Sequence, residues 1–305
     1  MEELIYENQG KQRLDKYLAE EFNDFSRSQI QKLIKDGQIL VNNKLVSNHY
    51  QLKQDDKVEI NKTIKQESIK LKNQKGEMVP QVLYKTDDYL IIDKPAGLII
   101  HPAESVKEPT LVDWLIANYP QIKSVGENPA RPGIVHRLDK EVSGIMVIAL
   151  NQKMFEHLKK QFQDHQVKKE YLALVHGVIE ADEGKIDFPM ERSRLSGKMV
   201  SRPKGEVGRE SITEFIVLKR YSRYTFIKVN ILTGRTHQIR SHLQAYGYPI
   251  IGDSLYKNKK ILENLELNRL FLHAHLLRFL DLNKELQEFK VELPSELNTI
   301  LKNLK

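Results

Sequence analysis

Gly133-Ile134-Val135-His136-Arg137-Leu138-Asp139-Lys140 leads through Glu141-Val142-Ser143 into Gly144-Ile145-Met146-Val147-Ile148-Ala149-Leu150. The last stretch is apolar throughout, so both of its faces need cover, as they have in a central strand of a sheet. The first stretch sets one carboxylate among His136, Arg137 and Lys140 at the mouth of that strand. A carboxylate at a core edge, between cations, stays ionised while partly desolvated, which a nucleophile or base requires. Asp139 is therefore the first candidate for chemistry. The competing reading is a surface loop whose Arg137, Asp139 and Lys140 are solvated charges.

Upstream of this stretch, strands are expected over 82–84 and 89–93, with a turn at Lys94-Pro95-Ala96-Gly97. Leu111, Leu115 and Ile116 recur at helical spacing. Downstream, Asn151 caps a helix carrying Phe155, Leu158 and Phe162, and strands follow over 171–175 and 224–232. The turn Thr233-Gly234-Arg235 opens a helix near Thr236, which Gly247 and Pro249 end. Elements in this order fit an α+β domain better than regular βαβ alternation.

A smaller module opens the chain. Leu14, Tyr17, Leu18 and Phe22 share a helical face, and Ser26 with Gln29 forms a capping box before Ile30, Leu33 and Ile34, with Gly37 as the stop. Residues 39–41, the turn Asn42-Asn43, Leu45 and Val46 make a hairpin, which Val58 and Ile60 extend into a small sheet. Over 61–76, Lys62, Lys65, Lys70, Lys72 and Lys75 face only Glu67, a basic linker. The expected domains are 1–75, including that linker, and 76–305.

The 305 residues suit two domains, and 40% hydrophobic with 29% charged residues exclude a disordered chain. A net charge of +7 favours polyanionic partners. The absence of cysteine removes disulfides, thiolate metal sites and thiol nucleophiles together. The start of the chain lacks a secretory pattern, and no run approaches the roughly 18 apolar residues of a membrane span. The expectation is a cytoplasmic protein and, with no long heptad pattern left over for a partner, a monomer.

Two further stretches could carry chemistry. In Lys168-Lys169-Glu170-Tyr171-Leu172-Ala173 two lysines precede a tyrosine at a strand start, an arrangement suited to a stacked nucleobase beside its phosphates or to ordinary half-buried packing. In Thr233-Gly234-Arg235-Thr236-His237-Gln238-Ile239-Arg240-Ser241-His242, a helix start carries Arg235, with Arg240 about a turn later. Its anion partner is a phosphate or a buried Asp. His237 and His242 lack the spacing and the intervening carboxylate of a zinc helix, so no metal is expected. A basic stretch over 192–209, broken by Gly197, Pro203, Gly205 and Gly208, reads as a phosphate-contacting or merely solvated loop. No dinucleotide fingerprint, Walker loop or nucleophile elbow is present, and no cofactor is called for.

His136-Arg137-Leu138-Asp139-Lys140-Glu141-Val142-Ser143-Gly144 resembles the signature of the RluA/RluD-type pseudouridine synthases, with Val142 where the usual pattern has Thr. Asp93-Lys94-Pro95-Ala96-Gly97-Leu98 with His101-Pro102, Lys169-Glu170-Tyr171-Leu172-Ala173, and Gly234-Arg235-Thr236-His237-Gln238-Ile239-Arg240 resemble its other blocks, in order. The first seventy or so residues are similar to the S4-like α/β RNA-binding domain of the RluD-type branch. The resemblance implies a mixed, mainly antiparallel catalytic sheet preceded by that small domain. It implies that Asp139 acts on a uridine within RNA: the bond from C1′ to N1 breaks, uracil rotates, and C5 is joined instead, with no cofactor. Tyr171 would pack on the flipped base, Arg240 would pair with the carboxylate, and Arg137 would help position the substrate. Arg13, Arg27, Lys32, Lys35, Arg235, His237 and Gln238 are the expected RNA contacts. Large-subunit ribosomal RNA is the expected substrate. A tRNA substrate, or a non-catalytic role in RNA binding or ribosome assembly, is the alternative.

Overall fold

The computed structural model describes residues 2–6, 8, 10–21, 30–31, 34–35, 37, 39–47, 49–60, 78–101, 108–193, 197–203, 205–257, 265, 267 and 269–304. The chain divides into two compact units, Met1–Glu77 and Met78–Lys305.

In the first unit, strand β1 (Glu2–Ile5) precedes β2 (Gln12–Arg13), helix α1 (Leu14–Glu21), β3 (Ile39–Val41), β4 (Lys44–Leu45), β5 (Gln51–Leu52) and β6 (Lys57–Ile60). An antiparallel sheet runs β1-β6-β3-β4, and β2 pairs with β5. Asn42 and Asn43 both take positive φ, 50° and 60°, in the two-residue turn between β3 and β4. That conformation matches the twist of a tight hairpin, and asparagine tolerates it. Leu14 and Leu18 of α1 are buried with Ile34, Val41, Leu52 and Val58 in this unit's own core. Phe22, the Ser26–Gln29 capping box, Leu33 and the linker over 61–76 lie outside the described residues.

The second unit contains β7 (Gln81–Lys85), β8 (Tyr89–Lys94), α2 (Leu111–Asn118), β9 (Ser143–Ala149), α3 (Gln152–Gln163), β10 (Lys168–His176), β11 (Glu183–Ile186), β12 (Met190–Arg192), β13 (Met199–Ser201), β14 (Thr213–Arg220), β15 (Tyr224–Ile231), α4 (Gln238–Ala245), β16 (Leu272–Leu280), β17 (Leu286–Lys290) and α5 (Ser295–Asn303). One nine-stranded sheet runs β11-β14-β15-β10-β16-β9-β8-β7, with β17 also on β16. Every pairing in it is antiparallel except β9 with β16. All seven residues of β9 are buried, as its unbroken apolar run requires. Asn151 caps α3 by accepting from the Met154 N–H, and Thr110 with Asp113 closes a capping box on α2.

Two features depart from the sequence reading. The basic stretch over 192–209 is not wholly irregular: β13 lies within it and pairs with β12, which ends at Arg192, and Arg202 is tied to Glu191. Helix α4 starts at Gln238 rather than near Thr236, because His237 takes the left-handed conformation, φ 55°, and interrupts the turn.

At the junction of β9 and β16 the backbones meet so closely that only glycine fits. Gly144 has φ 121°, and a Cβ there would lie 2.2 Å from the Ala274 carbonyl oxygen. This approach holds the loop of Asp139 against the centre of the sheet.

Candidate active site

A cleft opens where the loop before β9, the middle of β10 and the start of α4 converge. Arg137, Asp139, Val142, Tyr171, Ile231, Arg235, His237 and Arg240 are among its lining residues. Asp139 arrives from a loop fastened at both ends. The Val142 N–H donates to the Asp139 carbonyl at 3.1 Å, and the Gly97 N–H donates to the Lys140 carbonyl at 2.7 Å. The buried Lys94 ammonium donates to the carbonyls of Pro95, Leu98 and Lys140 at 2.9, 3.0 and 3.2 Å. Burial pulls Lys94 down to about 7, while its three carbonyl acceptors match the three N–H groups of its charged form.

Arg240 lies on the buried side of α4 with 1% of its side chain exposed. Its Nε and Nη2 donate to the two oxygens of Asp253 at 2.8 and 2.9 Å, a bidentate pair. Its Nη1 is shared between Asp139 Oδ2 and Glu141 Oε2, each at 3.3 Å. Burial opposes the guanidinium charge, but hydrogen bonds and charge from Asp253, then the charges of Asp139 and Glu141, raise its pKa above the usual arginine value. Burial would raise Asp253 too, yet Arg240 and the Tyr256 and Leu255 N–H groups leave it lowered. The result is a fixed cation that presents one N–H edge to the cleft.

Tyr171 is buried in the cleft wall, two strands of sheet away from the Asp139 loop. Burial, then the charge of Asp139, pushes its phenol well above the ordinary tyrosine value, so the ring stays neutral. Val142, Ile231 and Leu272 add apolar wall beside it. Such a slot, with a carboxylate and a guanidinium at one edge, can take a flat, polar-edged ring.

His237 holds its Nε2 3.8 Å from Asp139 Oδ2, while its Nδ1 and the Tyr256 hydroxyl are 3.1 Å apart. Burial lowers its pKa, while the charge of Asp139 works against that shift. Tyr256 in turn donates to the Met199 carbonyl at 2.8 Å, joining β13 to the site.

The geometry brings Asp139, Tyr171, Arg240, Arg137, Arg235 and His237 to one place. Gln238 must be corrected. It is buried, its Nε2 donates to Ile212 O and Thr213 Oγ1 at 3.0 and 3.1 Å, and its Oε1 accepts from Thr233 and the Arg235 N–H at 2.8 and 2.9 Å. Its amide is spent on shaping the turn, although the residue lines the cleft. In the first unit Lys35 is exposed, whereas Arg13 Nε and Nη2 are engaged by buried Asp15 at 3.0 and 2.9 Å. Arg27 and Lys32 lie outside the described residues. Asp253, Glu141 and Tyr256 escaped sequence reasoning. An arginine between Ile239 and Leu243 on a buried helix face was the signal that a buried acid must exist.

Residues 88–245 match the family model described as RNA pseudouridylate synthase, and residues 12–58 match the S4 domain. The uncharacterized RNA pseudouridine synthase YlyB of Bacillus subtilis is 34% identical over 301 residues, covering 98% of this chain and 96% of that one. Ribosomal large subunit pseudouridine synthase D of Buchnera aphidicola is 34% identical over 311 residues, covering 95% and 94%. The solved structure of human RNA pseudouridylate synthase domain containing 1 superposes with a TM-score of 0.59 at 26% identity, covering 71% of this chain and 84% of that one. The chain belongs to the RNA pseudouridylate synthase family. Within it, this is an RluA-type RNA pseudouridine synthase, an isomerase, with an N-terminal S4 domain. Among the described residues no helix is long and apolar enough to cross a membrane, and no group of three or more His, Asp or Glu could hold a metal ion.

Proposed function

We propose that Asp139 is the group that acts on the uridine, with Tyr171 packed on the extruded base and Arg240 fixing the carboxylate. The observation that carries this is the convergence of three distant stretches on one cleft, where Arg240 Nη1 reaches Asp139 Oδ2 at 3.3 Å beside the buried ring of Tyr171. The isomerisation breaks the bond from C1′ to N1, forms one from C1′ to C5, releases the C5 hydrogen to solvent and protonates N1. It is redox-neutral. Attack on the base, attack on the sugar and removal of a sugar proton would all use the same carboxylate. A base within a helix cannot enter the cleft, so extrusion costs a few kcal/mol, least in loops.

We further infer that the substrate is large-subunit ribosomal RNA in the cytoplasm. Relatives named as ribosomal large subunit pseudouridine synthases at 34% and 35% identity, together with an S4 domain, support this. Asp139→Asn should keep fold and RNA affinity and lose tritium release from RNA carrying 5-tritiated uridine; normal release would remove Asp139 from the chemistry. Pseudouridine mapping by carbodiimide modification and primer extension, in cells with and without the protein, tests the substrate. Missing sites in 23S RNA are expected. Missing sites only in tRNA would overturn the ribosomal assignment, and an unchanged map would point to a non-catalytic role.

A further inference from the structure

Lys169 occupies an unusual position in this unit. It lies two residues before Tyr171 on β10, hence on the same side of the sheet. The pairing of Glu170 with Asn230 sets Ile231 of β15 beside it, and both Tyr171 and Ile231 line the cleft. A Cβ on Gly234, another lining residue, would lie 3.8 Å from the Lys169 ammonium. The charge therefore sits beside the cleft, next to its lining residue Gly234.

The ammonium is half-buried and, among the described residues, without a counter-ion. Among the described residues no carboxylate lies within ion-pair distance of it, whereas its neighbours Lys168 and Lys228 both reach Glu170, at 2.7 and 4.0 Å. It rests instead 5.6 Å over the ring of Phe162, which stacks on His136 with centroids 4.7 Å apart and planes 18° apart. Burial pulls the lysine down to about 8. Burial and Lys169 together pull His136 down to about 3, so the ring beneath Phe162 is neutral. A cation so partly desolvated, held by an aromatic stack rather than an acid, attracts an incoming anion more strongly than a solvated surface lysine does.

We infer that Lys169 binds a backbone phosphate next to the extruded uridine, forming with Arg137 and Arg235 a cationic rim around the cleft. A nucleotide that swings out of its strand turns about its own backbone, so its flanking phosphates remain at the mouth of the pocket. Uracil itself is neutral, and the edge of the slot beside Tyr171 already carries Arg240 and Asp139. This inference rests on the uridine reading of the same cleft.

The test is binding of the full chain to unmodified 23S RNA transcribed in vitro, at a series of salt concentrations. For Lys169→Met the slope of log affinity against log salt should shrink by about 0.7, one phosphate's worth on a single strand. KM should rise about tenfold, with kcat changed far less, because a backbone contact is made equally in ground and transition states. Lys169→Arg should restore the slope, a rescue that a merely structural lysine would not give. An unchanged slope and KM in Lys169→Met would overturn the contact alone, since tritium release by the wild-type chain on the same RNA reports separately on the uridine reading. Should Lys169→Met fail to fold, a Lys169→Arg chain of wild-type stability but with the reduced slope would also count against it.

Discussion

Arg240 spends two of its three guanidinium nitrogens on Asp253, Nε to Oδ2 at 2.8 Å and Nη2 to Oδ1 at 2.9 Å, and only the third reaches Asp139. Asp253 thus fixes the orientation of the cation from outside the cleft. Both side chains are almost wholly buried, at 1% and 0% exposure.

Asp253→Ala should therefore strand a buried guanidinium. Removing one partner of such a pair costs about 3–5 kcal/mol. Denaturant unfolding should show that loss, and tritium release should fall at least tenfold even at temperatures where the variant stays folded.

Glu141 and Asp139 both accept from Nη1 of Arg240, each at 3.3 Å. Glu141→Gln should remove the second negative charge on Nη1 while keeping an acceptor oxygen, and alter kcat by less than about tenfold in either direction. A loss as deep as that of Asp139→Asn, measured by the same tritium assay, would mean that Glu141 is itself a reacting group.

For Tyr171 the ring matters more than the hydroxyl. Tyr171→Phe should cost only a few fold in turnover, whereas Tyr171→Leu should be severe, because stacking on a base contributes about 1–3 kcal/mol. Equal activity in the two variants would exclude stacking.

The protein should lose stability in mild acid. Burial holds His136 at about 3 and His273 at about 4, so the unfolded chain takes up protons near pH 6.5 that the folded chain refuses. Their share of stability is fully present above about pH 6.5 and is lost as pH falls toward about 4 for His273 and about 3 for His136. Unfolding curves across that window should slope accordingly. His136→Gln, which can still accept the Val147 N–H, should flatten the slope by one proton.

Gly144→Ala should disrupt the seam between β9 and β16, since the new methyl would meet the Ala274 backbone at 2.2 Å. The expected result is insoluble protein or a midpoint lowered by at least several degrees, read by thermal unfolding.

Much of the site was legible because its groups stand in short, charged stretches next to apolar ones. Asp139 precedes an unbroken apolar strand, and Asn151 carries its capping signal in plain view. Asp253 was hidden because its importance is set by Arg240, which lies on a different element and meets it only through folding. Strand β16 was invisible for a related reason. Leu272–Leu280 carries His273, His275 and Arg278 among its apolar residues, so neither a clean alternation nor an unbroken run marks it. Gln238 misled in the opposite sense: its polar side chain suggested a ligand, but buried turns consume amides too.

Strand β16 also decides when the enzyme can first work. Asp139 belongs to the half of the sheet built from β7, β8 and β9, while Tyr171 and Arg240 belong to the half containing β10 and β15, and among the described residues the strand ladder passes from one half to the other through β16. A chain reaching only past Asp253 holds Asp139, Tyr171 and Arg240, yet on two pieces of sheet that β16 has not joined, and it lacks the Leu272 wall of the cleft. Cleft and sheet are therefore completed in one step, by the strand that seals the seam between the two halves.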